Sequence, residues 1–339
     1  MNKQDWKNFK NNSIRHVWNY AHASWVWPLF PNKFMAFLEK FKNGKKFFNS
    51  LQKIRFLITQ KPIIPDIEYV VTTRCTMNCK HCNTFVPYFS DDSHVKSVTF
   101  ETFKQDIDTL LKSIDYIYSF GFVGGETLLN KDLAKMIEYA LSKRKIHHVF
   151  IATNCTILPN EELLKVMKHK KFAAHISDYR DVKKIKGGIT VKYEEMKKLL
   201  LDNGIKISNH QENLNRSNWM TMPELYKDRQ DVEKIIENFN RCFGQYCTML
   251  SDGKILQCTI SVYMERNLEL TQAIKDEIVD IRAAKNSKEL TDKIIKFYCR
   301  PYSEFCHYCH FENIQTGLPC GEQISAEEAA LYIQNNKNL

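Results

Sequence analysis

Three cysteines stand close enough together to hold one inorganic group: Cys75, Cys79 and Cys82, spaced C-x-x-x-C-x-x-C in the run RCTMNCKHC directly after a predicted strand. A loop of that length can curl around a single iron–sulfur cluster, and three thiolates leave one iron without a protein ligand. Zinc is the competing reading, but zinc sites favour C-x-x-C pairs with four protein ligands, and no fourth follows nearby. One βα unit downstream, at the end of the second predicted strand, comes Phe122-Val123-Gly124-Gly125-Glu126-Thr127. Two glycines let the backbone approach a ligand closely, and the Glu126 carboxylate can accept hydrogen bonds from an ammonium group. The chain holds eleven cysteines, an odd number, and its amino terminus MNKQDWKNFK has no apolar signal core. Both facts argue against a disulfide framework and for metal or cluster ligands.

The cysteine triplet followed by Gly-Gly-Glu resembles the radical S-adenosylmethionine superfamily over about residues 66–210. The resemblance implies a partial (βα)6 barrel whose three cysteines hold a 4Fe-4S cluster, with S-adenosylmethionine chelating the open iron. It implies cleavage to a 5′-deoxyadenosyl radical that removes a hydrogen atom from an unactivated carbon. The electron would come from an external one-electron donor such as flavodoxin or ferredoxin. By the same likeness Gly124, Gly125 and Glu126 bind the methionine part, and Thr153, Asn154, Ser177 and Asp178 line the ribose and methionine pocket. Three positions depart from the usual pattern: His81 precedes the third cysteine, Thr127 follows Gly-Gly-Glu, and Cys155 follows Thr-Asn. None removes a cluster ligand.

A second group of thiols lies toward the carboxy terminus. Cys242, Cys258, Cys306 and Cys309, with Cys247, resemble the auxiliary-cluster extensions called SPASM and Twitch, through C-x10-G-x4-C at Cys242, Gly253 and Cys258 and a later C-x-x-C. The shorter Twitch type implies one auxiliary 4Fe-4S cluster. Four thiolates suffice, so either Cys242 or Cys247 is a bystander, and spacing does not decide which. Cys299 and Cys320 are either core residues or, with His307 or His310, parts of a second auxiliary cluster. A zinc ribbon is the alternative for this region.

The elements that must position these groups are legible as periodicity. Short β-branched and aromatic runs begin at Ile67, Tyr116, His148, Phe172 and Ile205, and amphipathic helical stretches begin at Lys131 and Glu161. That alternation predicts parallel βα units, with sites at the carboxyl ends of the strands. We expect an α/β fold in three parts: a basic, aromatic helical extension (residues 1–60), a partial barrel (61–215) and a small cysteine-rich α+β module (216–339). A turn at Ser251-Asp252-Gly253 precedes the strand-like KILQC.

The formal net charge is +10, of which residues 1–60 supply a net of +9 and four of the five tryptophans. This segment reads as a helical cap with WVWPLF and FMAFLEKF packed on the barrel, or as a peripheral attachment to an anionic membrane face. No nucleic-acid-binding fold accompanies the charge. No run reaches the roughly 20 apolar residues of a membrane-spanning helix, so a cytoplasmic protein is expected, peripheral to the inner membrane face at most. The expected reaction is oxidation of a sugar, cyclitol or nucleotide-sugar. The rivals are an epimerase using Cys155 as hydrogen-atom donor, a peptide-modifying maturase, and a non-enzymatic iron–sulfur or zinc scaffold. Tyr179, Arg180 and Trp219 are candidates for the substrate wall.

Overall fold

The computed structural model describes residues 1–21, 33–89, 97–182, 185–208, 219–226 and 229–336; Trp25 and Trp27 of the WVWPLF run lie outside them. Four helices come first: α1 (Lys3–Phe9), α2 (Arg15–Ala21), α3 (Lys33–Glu39) and α4 (Gly44–Thr59). Five strands follow, β1 (Ile64–Thr72), β2 (Ile117–Gly124), β3 (Ile146–Thr153), β4 (Phe172–Ile176) and β5 (Ile207–Ser208), all pairing in parallel and in chain order. Between them run α5 (Phe100–Ser113), α6 (Leu133–Ser142), α7 (Glu161–Met167) and α8 (Tyr193–Asp202).

The strands form where expected because a sheet covered on both faces needs apolar residues at nearly every position; eight of the nine residues of β1 are buried. The helices start where side chains take up their orphan amides. Thr99 accepts from the Thr102 amide ahead of α5, and Asn160 from the Leu163 amide ahead of α7. Phe103, Ile107 and Leu110 of α5 and Met136, Ile137 and Ala140 of α6 then close over Ile67, Phe120, Phe122 and Ile151 in the main core.

The remainder comprises β6 (Trp219–Met220), β7 (Glu224–Leu225), α9 (Val232–Arg241), β8 (Thr248–Ser251), β9 (Lys254–Leu256), α10 (Thr259–Asn267), α11 (Gln272–Glu277), β10 (Val279–Asp280), α12 (Ser287–Cys299), β11 (Cys309–His310), β12 (Thr316–Leu318) and α13 (Ala326–Asn336). The cysteine-rich region is not separate in the way its sequence texture suggests. β8 pairs in parallel with the free edge of β1, and the β8–β9 hairpin and β10 extend the barrel sheet to eight strands, in the order β10-β9-β8-β1-β2-β3-β4-β5. An open edge of β1 would leave a row of backbone groups unpaired, and β8 fills it. The hairpin turns at Asp252 (φ 49°) and Gly253 (φ 75°), both left-handed, as a tight two-residue turn requires.

A buried ion pair reinforces the same junction. Arg282, just after β10, donates to both carboxylate oxygens of the fully buried Asp106 on α5 at 2.8 and 2.9 Å, and Tyr69 on β1 donates to Asp106 at 2.7 Å. The amino-terminal helices are integral as well. Phe9 and Ile14 sit in the main core, and Asn8 and Asn12 donate to the carbonyls of Cys299, Tyr298 and Arg300 at the end of α12.

Candidate active site

The carboxyl ends of β1 to β4 converge on one cavity of about 400 Å³. The loop leaving β1 lines it with Cys75, Cys79, His81 and Cys82. This loop is held in place by the Gly-Gly-Glu segment at the end of β2. The Gly125 amide donates to the Thr72 carbonyl at 2.8 Å and the Glu126 amide to the Arg74 carbonyl at 2.9 Å. A Cβ on Gly124 would lie 2.0 Å from the Thr72 carbonyl oxygen, and one on Gly125 would lie 2.0 Å from that of Arg74. The two glycines therefore admit the cysteine loop itself, which fixes where its thiols point.

Glu126 does not line the cavity. Its carboxylate is fully buried and accepts from the Leu128 amide (3.0 Å), the Thr153 hydroxyl (2.9 Å) and the Asn154 amide (2.8 Å). Burial pushes its pKa up to about 7 against those three donors. Here the carboxylate ties β2 to β3, and Gly124 and Gly125 are what this segment shows to the cavity. Thr127 donates its hydroxyl to the Ala152 carbonyl of β3 at 2.8 Å.

Thr153, Asn154, Ser177 and Asp178 all line the cavity. The Asn154 side-chain amide donates to Cys75 Sγ at 3.5 Å and to the Thr76 hydroxyl at 3.0 Å. Asp178 is gripped by Arg180, whose Nε and Nη2 donate to its two oxygens at 2.8 and 2.6 Å. Arg180 is spent on Asp178 and Glu194 and is not part of the wall, whereas Tyr179 and Trp219 are, their rings edge to face at 5.6 Å.

Cys155 leaves the site. It is fully buried in the main core and adopts φ 61°, in the left-handed region that favours glycine. Replacing Cys155 by Ala is expected to leave turnover within about twofold of wild type, because a thiol that does not reach the cavity can deliver no hydrogen atom to a bound substrate. A folded variant that lost turnover or solvent-deuterium incorporation would restore the donor role.

The carboxy-terminal thiols are the second constituent. Cys242 and Cys258 reach the same cavity, on either side of Gly244, whose Cβ would lie 3.3 Å from both Cys242 Sγ and Cys258 Cβ. The Gly244 amide donates to Cys242 Sγ at 3.2 Å. Burial and the neighbouring thiols together push Cys242 up to about 12, and also raise Cys306 and Cys309, each of which feels Cys258 and Cys242. The Cys247 thiol is raised by burial, then by Glu68 and Asp66 on β1, and less by Cys258 and Cys242; like Cys306 and Cys309 it does not line the cavity.

Cys299 and Cys320 are not brought together. Cys299 packs on the main core at the end of α12, and Cys320 lies against Cys79 and Tyr179, its thiol donating to the Asp178 carbonyl at 3.3 Å. His307 is engaged elsewhere, Nδ1 with the Gln230 carbonyl at 3.1 Å and Nε2 with Arg229 at 3.2 Å.

One part of the site escaped sequence reasoning. Residues 320–324 clasp the cysteine loop: the Lys80 amide donates to the Glu322 carbonyl and the Ile324 amide to the Asn78 carbonyl, each at 2.7 Å. The Gln323 side chain accepts from the Asn78 amide at 2.8 Å and offers its own amide to Cys79 Sγ at 3.8 Å. The lone Cys320 was the sole local signal, and spacing alone did not link it to a loop 240 residues earlier.

The donor set fits the implied cluster. Three thiols open onto one cavity beside two amide donors to sulfur, and burial pushes Cys75 up to about 12 and raises Cys79 too, as expected of thiols whose ionisation awaits a cationic group. Among the described residues, no three His, Cys, Asp or Glu side chains close on a single-ion site; a cubane holds each thiolate at a different iron and asks for no such convergence.

Residues 69–211 match the family model of the radical SAM superfamily. These residues carry that superfamily's domain. Over 102 residues, 30% of this chain, it is 28% identical to an S-adenosylmethionine-dependent nucleotide dehydratase of Selenomonas ruminantium, and the match spans 34% of that protein's length. Its structure is similar to that of BtrN in complex with AdoMet and 2-DOIA, with 16% identity, TM-score 0.41, and 77% of this chain and 97% of that one covered. It is also similar to anSMEcpe with bound AdoMet and Kp18Cys peptide, with 12% identity, TM-score 0.44, and 81% and 96% covered. Among the described residues no helix is long and apolar enough to cross a membrane.

Proposed function

We propose that the chain oxidises a sugar, cyclitol or nucleotide-sugar, with Cys75, Cys79 and Cys82 holding the radical SAM cluster and Cys242, Cys258, Cys306 and Cys309 holding one auxiliary 4Fe-4S cluster. The observation that carries this reading is that Cys242 and Cys258 open onto the same cavity as Cys75, Cys79 and Cys82, with Cys306 and Cys309 close enough to Cys258 and Cys242 to feel their charge. When bound, the first cluster and S-adenosylmethionine supply a 5′-deoxyadenosyl radical, given one electron from a donor such as flavodoxin or ferredoxin.

The chain's own residues do the rest. Asn154 and Gln323 donate toward the sulfurs of Cys75 and Cys79, an arrangement that sets cluster potential. Asp178, oriented by Arg180, offers a carboxylate to hydroxyl groups entering the cavity. Tyr179, Trp219 and Met222 wall the cavity against water. A substrate alcohol held between the two cysteine sets would lose its carbon-bound hydrogen atom to the radical on one side and an electron to the auxiliary cluster on the other, with its hydroxyl proton passing to a base such as the Asp178 carboxylate, which is net loss of two hydrogens.

The partial identity to a nucleotide dehydratase supports a second reading, loss of water from a nucleotide. Incubating the reduced protein with candidate nucleotides and nucleotide-sugars separates the two by product mass: loss of two hydrogens supports oxidation, loss of water supports dehydration. An isomer of unchanged mass carrying solvent deuterium contradicts both.

The ligand assignment makes its own prediction. Cys258→Ala is expected to lose one cluster's worth of iron, while Cys247→Ala keeps the full amount, since the charges that act most on Cys247 are the carboxylates Glu68 and Asp66, whereas those on Cys306 and Cys309 are led by other thiols. Equal iron loss in both variants, or zinc in place of the second cluster, would refute it.

A further inference from the structure

Helices α3 and α4 are apolar on two sides. Their inner residues Met35, Leu38 and Phe48 pack with Trp18, Ile63, Tyr116 and Tyr118, where β1 and β2 begin. Their outer residues are apolar too: Phe37, Phe41, Phe47, Ile54, Leu57 and Ile58 are all more than half exposed, Ile58 at 78%. These six are nearly half of the thirteen large hydrophobic side chains exposed among the described residues, gathered within 22 positions of the chain. A helix that faces the core on one side ordinarily turns charge to water on the other, and an apolar patch of this kind marks a surface that meets something.

Charge decides what it meets. Around the patch stand the exposed Lys33, Lys40, Lys42 and Lys46, and Glu39 is the single acid between residues 33 and 60. A protein partner meets rims of mixed sign, whereas exposed phenylalanines set among lysines of one sign suit the boundary between anionic headgroups and acyl chains. Lysine stems lie along apolar surface while their ammonium groups stay at the phosphates. The patch covers the end of the barrel where the strands begin, and the cavity lies at the end where they finish, so a surface engaged by α3 and α4 leaves the cavity mouth open.

We propose that the outer faces of α3 and α4 dock on an anionic phospholipid surface. The test is sedimentation of the full-length, cluster-loaded protein with vesicles of pure phosphatidylcholine and of equal parts phosphatidylcholine and phosphatidylserine. Binding at least tenfold greater to the anionic vesicles, falling steeply with added salt, is expected. Phe37→Ser with Phe41→Ser and Ile58→Ser, and separately Lys40→Glu with Lys42→Glu and Lys46→Glu, should each lower that binding tenfold or more with unchanged melting temperature, iron content and 5′-deoxyadenosine formation. Equal binding to both vesicles, no binding, or variants that bind like wild type overturn the proposal. So does a dimer that the serine variant splits in sedimentation velocity without any vesicle binding, which would make the face a contact between copies of the chain.

Discussion

Replacing any one of Cys75, Cys79 or Cys82 by Ala abolishes 5′-deoxyadenosine formation and removes one cluster's worth of iron, while the second cluster's iron stays. The expectation follows from how the loop is built. Its path is set by the Gly125 and Glu126 amides on one side and the 320–324 clasp on the other, neither of which involves a thiol except through the Gln323 side chain. Each alanine therefore removes a ligand from a site whose shape persists, and with two thiolates the cluster has no stable seat. Cys320→Ala is the matched control: it lines the same cavity but its thiol donates to the Asp178 carbonyl, and it should keep its iron. Iron and 5′-deoxyadenosine measured side by side decide the matter. A Cys79→Ala protein that kept full iron and activity would show that the tripod is elsewhere.

The second large effect needs no ligand. Gly125→Ala places a methyl group 2.0 Å from the Arg74 carbonyl oxygen and 3.1 Å from the Cys75 Cβ, and backbone cannot swing aside as a flexible side chain does. Overpacking of this kind costs about 3 kcal/mol or more, and the strain falls on the residue that carries the first ligand. We expect a melting temperature lower by roughly 6 °C or more, at about 2 °C per kcal/mol, with iron lost from the first site. Gly188→Ala is the comparison: its φ is +71° but nothing lies within 4 Å of the added Cβ, so it bears a conformational penalty of only about 1 kcal/mol. Thermal melts in which Gly125→Ala was no worse than Gly188→Ala would remove the packing role assigned to this glycine.

These two variants also mark what could be read in the chain and what could not. The cysteine triplet and the strands around it are local: a ligand spacing and runs of buried β residues announce themselves within a few positions. Glu126 was legible as important but its chemistry was not, because its partners arrive by different routes, Leu128 from the following turn and Thr153 and Asn154 from the next strand. Cys155 drew attention as a thiol at a strand end, while the direction of its side chain depended on a left-handed φ that no spacing encodes. The pairing of β8 with β1 and the clasp of Gln323 on the cysteine loop join residues about 180 and 245 positions apart. Such contacts are chosen by which open edge and which exposed amides are left to satisfy, a property of the assembled sheet.

The most direct test is to incubate the anaerobically reconstituted, reduced wild-type protein with S-adenosylmethionine and follow its cleavage by mass spectrometry beside an iron count. 5′-Deoxyadenosine and methionine are expected in equal amounts from protein holding two clusters' worth of iron. Intact S-adenosylmethionine in the presence of fully loaded, reduced protein would contradict this expectation.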